Sequence, residues 1–409
     1  MVQFRRHDNA HWYHETQRSG SLEIVAAQIA DASGAVNSSN LDYSLPVENV
    51  PEKGIFLLGC VAGMPDTFDD AFTHHTPILL ASEAMYHALF PTIVEPDHNS
   101  TFSLYDRLSS ALTVAQVTGV QRLCSHYAER LTPLPSPDAS RESNMRLTQI
   151  TQYARQLASQ PTLIDQHALQ QLADVGLTHT DIIVLSQIIG FIGYQARVVA
   201  GVSALAGYPT VMLPGFPRMD DAIAVQLPNA NAIWQGWLPG WEGNTTSTEE
   251  EPDDAELTLE QLLAYHQQSL PAYREMALQL YHSQRELSDA ALTGGLEWVS
   301  LVSARINGSR YCQAQHQQKL QQIAGNAPLL AALQVDVDGA LAAQSSGTVT
   351  HSLISVAAEL TRAPERFSYQ HLSPLLTLGI NYNQVLSLLF NTAAAGWTNR
   401  LRQTLGHVD

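Results

Sequence analysis

Along most of the chain apolar residues recur at three-, four- and seven-residue steps, the spacing that lines one face of an α-helix. The clearest case is 178–206, where Ile182, Leu185, Ile189, Tyr194, Val198 and Leu205 keep that rhythm. Residues 103–131 and 145–173 read as long helices too, and Leu79, Met85, Leu89 and Phe90 place another in the second half of 55–91. Breaks fall where turn residues gather: TPLPSPDASRES at 132–143, Gly207 with Pro209, Gly294-Gly295, Asn307-Gly308, Gly325-Asn326-Ala327-Pro328 and Pro364. Alternating runs of β-branched residues are nearly absent, so the pattern predicts an all-α fold built by helix packing.

The 409-residue length exceeds the roughly 250–300 residues at which single cores stop growing, which favours two domains or one doubled unit. Texture divides the chain into four parts. Residues 1–52, rich in Ser, Asn and His with little periodicity, read as a poorly structured arm, and 53–207 as a first helical unit. Residues 208–256, dense in Pro, Gly and Trp and closing on TEEEPDDAE, read as an irregular connector ending in an acidic loop; 257–409 is a second helical unit.

The two units show a repeat. SSALTVAQVTGVQRLCSHYAERL (109–131) aligns without gaps on WVSLVSARINGSRYCQAQHQQKL (298–320), which puts Gly119 on Gly308 at a shift of 189 (308 − 119). DIIVLSQIIGFIGYQA (181–196) aligns on QHLSPLLTLGINYNQV (370–385) at the same shift, with Gly190 on Gly379 and Gln195 on Gln384. Two segments with one offset predict a tandem duplication.

Composition narrows the partners. With 45% hydrophobic and 15% charged residues the chain is not of the disordered class. Its 21 Lys and Arg against 39 Asp and Glu leave a formal net charge of −18, which repels phosphate backbones and anionic lipids, so neither nucleic acid nor a membrane surface is expected as a partner. No apolar run approaches the roughly 18–20 residues of a bilayer span, and MVQFRRHDNAHWYHET lacks the apolar stretch of a signal peptide; the expected location is cytoplasmic. Cys60, Cys124 and Cys312 are widely spaced and odd in number, so a disulfide framework is not expected.

The sharpest chemical signal is GGLEWVSLVSARINGSRYCQAQHQQKL at 294–320. Glu297 and Arg305 belong to one predicted helix, Asn307-Gly308 makes a turn, and Ser309 is a good N-cap for the next helix. Cys312 then lies in that helix's first turn, where the helix dipole favours a thiolate, with His316 one turn further on the same face. Glu297 can orient the imidazole, which completes a nucleophile, base and orienter. Alternatively Glu297 pairs with Arg305 or a lysine.

Glu297, Ser309, Cys312 and His316, with the phrase INGSRYCQAQH, resemble the AhpD-like, carboxymuconolactone decarboxylase superfamily. Its peroxidase-type members carry Glu, eleven residues, Cys-x-x-Cys, three residues, His. Three of those four positions match, and Ser309 stands where the first cysteine belongs. The resemblance implies small all-helical units that dimerise and often build hexamers, so a doubled chain would form an intrachain pseudo-dimer and assemble further as a homo-oligomer, a trimer of pseudo-dimers. It implies thiol-dependent peroxide reduction without a cofactor or metal. Because Ser309 cannot form a disulfide, Cys312-SOH would need an external thiol reductant, with Ser309 hydrogen-bonding the sulfur species. The substrate would be a peroxide or a thiol or disulfide compound.

At the same offset Glu297, Ser309, Cys312 and His316 correspond to Leu108, Val120, Leu123 and Tyr127, so the first unit reads as a structural partner without a site. Cys60 and Cys124 read as buried apolar residues. His7, His11 and His14, His74-His75, and the acidic run Glu249 to Asp254 read as solvated. Trp234, Trp237 and Trp241 read as anchors of the connector rather than as a ligand cleft. A catalytically silent helical binding or assembly protein, and a decarboxylase or isomerase without thiol chemistry, are the competing functional expectations.

Overall fold

Turn chemistry starts and stops the helices. The computed structural model describes residues 54–61, 64–95, 97–211, 218–229, 231–241, 254–286, 292, 294–324 and 326–408. Expectations about 1–52, with His7, His11 and His14, and about 249–253 of the acidic run lie outside the described residues. The first half carries α1 (Asp69–His74), α2 (Thr76–Leu89), α3 (Leu104–Thr118), α4 (Gln121–Leu131), α5 (Arg141–Ser159), α6 (Gln166–Asp174) and α7 (His179–Leu205). The second carries α8 (Asp254–Leu263), α9 (Leu270–Glu286), α10 (Gly295–Asn307), α11 (Arg310–Ala324), α12 (Ala327–Val335), α13 (Val337–Ala342), α14 (Val349–Arg362), α15 (Tyr369–Thr377) and α16 (Tyr382–Leu405). Among the described residues the only strands are Gln235–Gly236 and Gly406–His407, paired antiparallel, so the fold is all-α.

Two of the expected long helices are each divided. Gly119 takes φ 69°, a left-handed conformation that ends α3 and lets α4 turn back. Pro161 opens a 3₁₀ turn over Pro161–Leu163 after α5, and Asp165 caps α6 by accepting from Ala168 N.

The core forms around α7 and α16, whose mutual packing is the most extensive between any two helices. Every residue from Asp181 to Val202 is buried. By length and composition α7 could cross a membrane, its most apolar 18-residue stretch having mean hydropathy 1.6, yet that stretch is wholly buried inside the protein. This corrects the reading that no segment is so apolar: Ser186, Gln187, Gln195 and Arg197 interrupt the run without lowering its average enough. Close approach explains a glycine here, since a Cβ on Gly190 would lie 2.0 Å from Trp397 Cδ1.

Local events in the first half recur in the second. Gly119 and Gly308 (φ 76°) end α3 and α10 alike, at the shift read from the sequence. Beyond them the register differs. Gly176 (φ 87°) and Gly379 (φ 88°) occupy matching turns before α7 and α16, a separation of 203 residues (379 − 176). Capping boxes follow each, Thr178 with Asp181 and Asn381 with Gln384. The alignment of Gly190 on Gly379 and of Gln195 on Gln384 is therefore corrected. Gly190 and Gln195 lie inside α7, whereas Gly379 lies in a turn and Gln384 in a cap; α12 and α13, inserted between α11 and α14, lengthen the second half. All described residues belong to one compact unit, 44–409.

Candidate functional site

The α10–α11 corner positions the residues singled out by the sequence. Gly308 allows the corner for two reasons: its φ of 76° suits glycine, and a Cβ there would lie 2.4 Å from Thr162 Cγ2 and 2.6 Å from Ala222 Cβ. Ser309 N donates back to Ala304 O at 3.0 Å, closing α10, and Ser309 O accepts from Gln313 N at 2.9 Å, opening α11. Ser309 thus sits immediately before α11, as expected for an N-cap, and is fully buried. Cys312 is the third residue of α11, is in no disulfide, and is 6% exposed.

His316, one turn along, reaches back to α10, where its Nδ1 lies 2.6 Å from Glu297 Oε2. Lys319 Nζ donates to Glu297 Oε1 at 3.4 Å. Burial works to raise the Glu297 carboxyl, but the hydrogen bond and charge of His316 and the charge of Lys319 outweigh it, and the carboxyl ends below its ordinary range. A carboxylate that accepts at Nδ1 fixes the tautomer with hydrogen on Nδ1 and leaves Nε2 as the basic nitrogen. Arg305 takes no part in this pair: it donates to the main-chain oxygens of Ala222, Gln334 and Val335.

Sequence reasoning missed Arg402. This buried residue of α16 lies over the Tyr311 ring at 5.0 Å and over the Trp234 ring at 4.9 Å, so a guanidinium is packed at the first turn of α11. Nothing in the local sequence around Arg402 signals it. Trp234 is an anchor, as expected, donating from Nε1 to Arg402 O at 2.9 Å, and Trp237 stacks on His407. Trp241 is 40% exposed and lines a cleft instead, against the expectation for it. His75 is also corrected: it is buried, with Nδ1 2.8 Å from Ala71 O and Nε2 3.0 Å from Ser387 Oγ, while His74 is exposed.

In the first half Leu108, Val120, Leu123 and Tyr127 are all buried. Tyr127 Oη donates to Gln195 Oε1 at 2.7 Å, and Gln195 Nε2 donates to Phe56 O at 2.8 Å, so its polar atom is consumed in the core. Beside it, His126 Nε2 lies 2.6 Å from Tyr86 Oη, to which Arg130 also donates. Burial and the Arg130 charge push His126 down to about 3, which keeps that ring neutral. Cys60 is fully buried and its thiol is pushed up to about 12 by burial; Cys124, half-buried, is pushed up likewise.

A cleft of about 780 Å³ lies elsewhere in the molecule, and Glu297, Ser309, Cys312 and His316 are not among its walls. Comparison with family models, curated proteins and solved structures finds no match to this chain.

Proposed function

We propose that the chain is a one-cysteine thiol oxidoreductase of the AhpD-like type, a tandem duplication folded as an intrachain pseudo-dimer in which only the second unit is chemically equipped. The observation that carries this reading is the 2.6 Å contact between His316 Nδ1 and Glu297 Oε2, one helical turn from Cys312. It is the base-and-orienter half of a nucleophile arrangement, and the corresponding pair in the first half, Leu108 and Tyr127, has no such chemistry. The glycine turns and capping boxes repeated 203 residues apart (379 − 176) support the duplication.

In the proposed cycle His316 Nε2 takes the Cys312 proton, and the thiolate attacks the distal oxygen of a hydroperoxide. The S–O bond forms as the O–O bond breaks; sulfur is oxidised to the sulfenic acid and the peroxide leaves as an alcohol after taking up the proton. An external thiol then displaces water from Cys312-SOH to give a mixed disulfide, and a second thiol restores Cys312 and departs as the oxidised disulfide. Ser309 replaces an internal resolving cysteine and supports the sulfur species by hydrogen bonding. The duplicated chain would act in the cytoplasm as a homo-oligomer, a trimer of pseudo-dimers; light scattering at the 44.7 kDa chain mass at micromolar concentration would contradict that assembly.

Alkylation of Cys312 followed across pH tests the site. Labelling well below the free-thiol range of roughly 8.5 is expected, and His316→Ala should move the profile upward. Ser309→Cys should form a disulfide with Cys312 and gain peroxide turnover with a dithiol. An unreactive Cys312 in both forms favours the competing binding or assembly reading, to which the separate 780 Å³ cleft lends its support.

A further inference from the structure

The cleft draws its walls from segments far apart in sequence: the loop after α2, the start of α7, Trp241, and the turn between α8 and α9. Two of its polar side chains are more than nine-tenths buried and keep hydrogen-bonding atoms without a partner among the described residues. Arg107, 4% exposed, donates from Nε to Phe102 O at 3.3 Å and from Nη1 to Leu89 O at 3.0 Å, which leaves Nη2 unused. Asp181 and Asp106 act on Arg107 through space, but neither is hydrogen-bonded to it: Asp181 is occupied by Thr101, Phe102 and Thr178. His266, 5% exposed, is held from the other side. Its Nδ1 lies 2.7 Å from Ser269 Oγ, which itself donates to Gln187 Oε1 at 2.9 Å.

That relay assigns the protons. Ser269 has two acceptors for its single hydrogen, Gln187 Oε1 and, at 3.2 Å, His266 O, so its oxygen is left to accept from His266 Nδ1–H, and His266 Nε2 is then an acceptor without a partner among the described residues. Burial and the Arg107 charge push His266 down to about 3, so the ring stays neutral beside the guanidinium. The third element is aromatic. Tyr265 meets Trp241 edge-on at 5.2 Å and His179 edge-on at 5.8 Å, which gathers three rings at one side of the cleft.

A buried cation with open N–H groups, a neutral acceptor and an aromatic wall ask for three things in one ligand. We propose that this cleft binds a small aromatic monocarboxylate carrying a hydroxyl, the carboxylate on Arg107, the ring along Trp241 and Tyr265, and the hydroxyl donating to His266 Nε2. A phosphate ester fits less well. Arg107 is the one permanent cation of the lining, and Glu95 and Asp97 stand at the same cleft and repel a second negative charge. A metal is not what the wall is built for, since no three His, Cys, Asp or Glu among the described residues converge on a common point.

Ligand-observed NMR on the full chain tests this with four probes: 4-hydroxybenzoate, benzoate, benzyl alcohol and inorganic phosphate. Saturable binding is expected in the order 4-hydroxybenzoate, benzoate, benzyl alcohol, with phosphate weakest. Trp241→Ala, at a position 40% exposed, should weaken both carboxylates about fivefold or more. Arg107→Gln should weaken the carboxylates at least tenfold and leave benzyl alcohol unchanged. Should Arg107→Gln not fold, the probe order and Trp241→Ala still decide. Cys312→Ser should bind as the parent does, so failure here is separable from failure of the thiol chemistry. No saturable carboxylate binding at millimolar concentration, a preference for phosphate, or indifference to Trp241→Ala overturns the proposal.

Discussion

Arg197 and Arg400 each close the end of a helix that belongs to the other half of the chain. Arg197, on α7, donates from Nη2 to Thr361 O at 2.6 Å, in the last turn of α14. Arg400, on α16, donates from Nη2 to Ala158 O at 2.8 Å and from Nε to Leu157 O at 3.1 Å, in the last turn of α5. Each also donates from Nη1 to the glycine one turn before it, Gly193 and Gly396. Helix C-termini carry partial negative charge and unpaired carbonyls, so a guanidinium suits both ends even where burial pulls Arg197 down to about 10 and burial with the Arg197 charge holds Arg400 well below its ordinary value. The reciprocity is what a two-fold relation between halves would produce, at the same 203-residue spacing (400 − 197) as the glycine turns.

Replacing either arginine with methionine keeps the apolar stem and removes the cap. Arg400→Met and Arg197→Met are each expected to cost about 2–4 kcal/mol, because buried carbonyls lose their donor. Urea denaturation checks this, and a large inequality between the two would speak against equivalent roles.

Gly190→Ala should destabilise the protein by about 1–3 kcal/mol through overpacking. Its added methyl would meet Trp397 at 2.0 Å, whereas at Gly193 the nearest atom is Arg197 Nη1 at 3.4 Å, an ordinary contact. Gly193→Ala is the control and should change stability much less in the same thermal or urea measurement.

The Glu297 carboxyl gives a pH signature. Its value is lowered on folding, so it contributes stability above the ordinary carboxylate value of 4.5, and that contribution is lost as pH falls through the lower folded value. Glu297→Gln should therefore cost about 1–2 kcal/mol at pH 7 and less at pH 3, below the ordinary value. Denaturation curves for both proteins at the two pH values measure the difference; an equal loss at both would mean that the charge of Glu297 is not what stabilises the pair.

How far the sequence could be read depended on the kind of signal. The helix at 179–205 was legible because Ile182, Leu185, Ile189, Tyr194, Val198 and Leu205 hold a helical period, and Gly119 with Gly308 because a left-handed helix end demands glycine. The alignment of 181–196 on 370–385 does not match the turns and caps, because apolar helices align in several registers about equally well. The signal that fixes the register is polar and short: a glycine two residues before Thr178 and Asn381, each a cap closed three residues on. The contact of Glu297 with His316 was readable from helical geometry within one corner. Arg402 and the Arg107 cleft were not, because their neighbours come from segments brought together only by the packing of α7, α9 and α16.

Mass analysis of Cys312 after mild hydroperoxide treatment tests the proposed thiol chemistry most directly. A gain of one oxygen trapped as a sulfenic acid, converted to a mixed disulfide by added thiol, absent at Cys60 and Cys124, and slowed tenfold or more by His316→Ala or Glu297→Gln is the expected result. A Cys312 that stays a plain thiol while the folded protein is intact, or that oxidises no faster than Cys60 and Cys124, would contradict it.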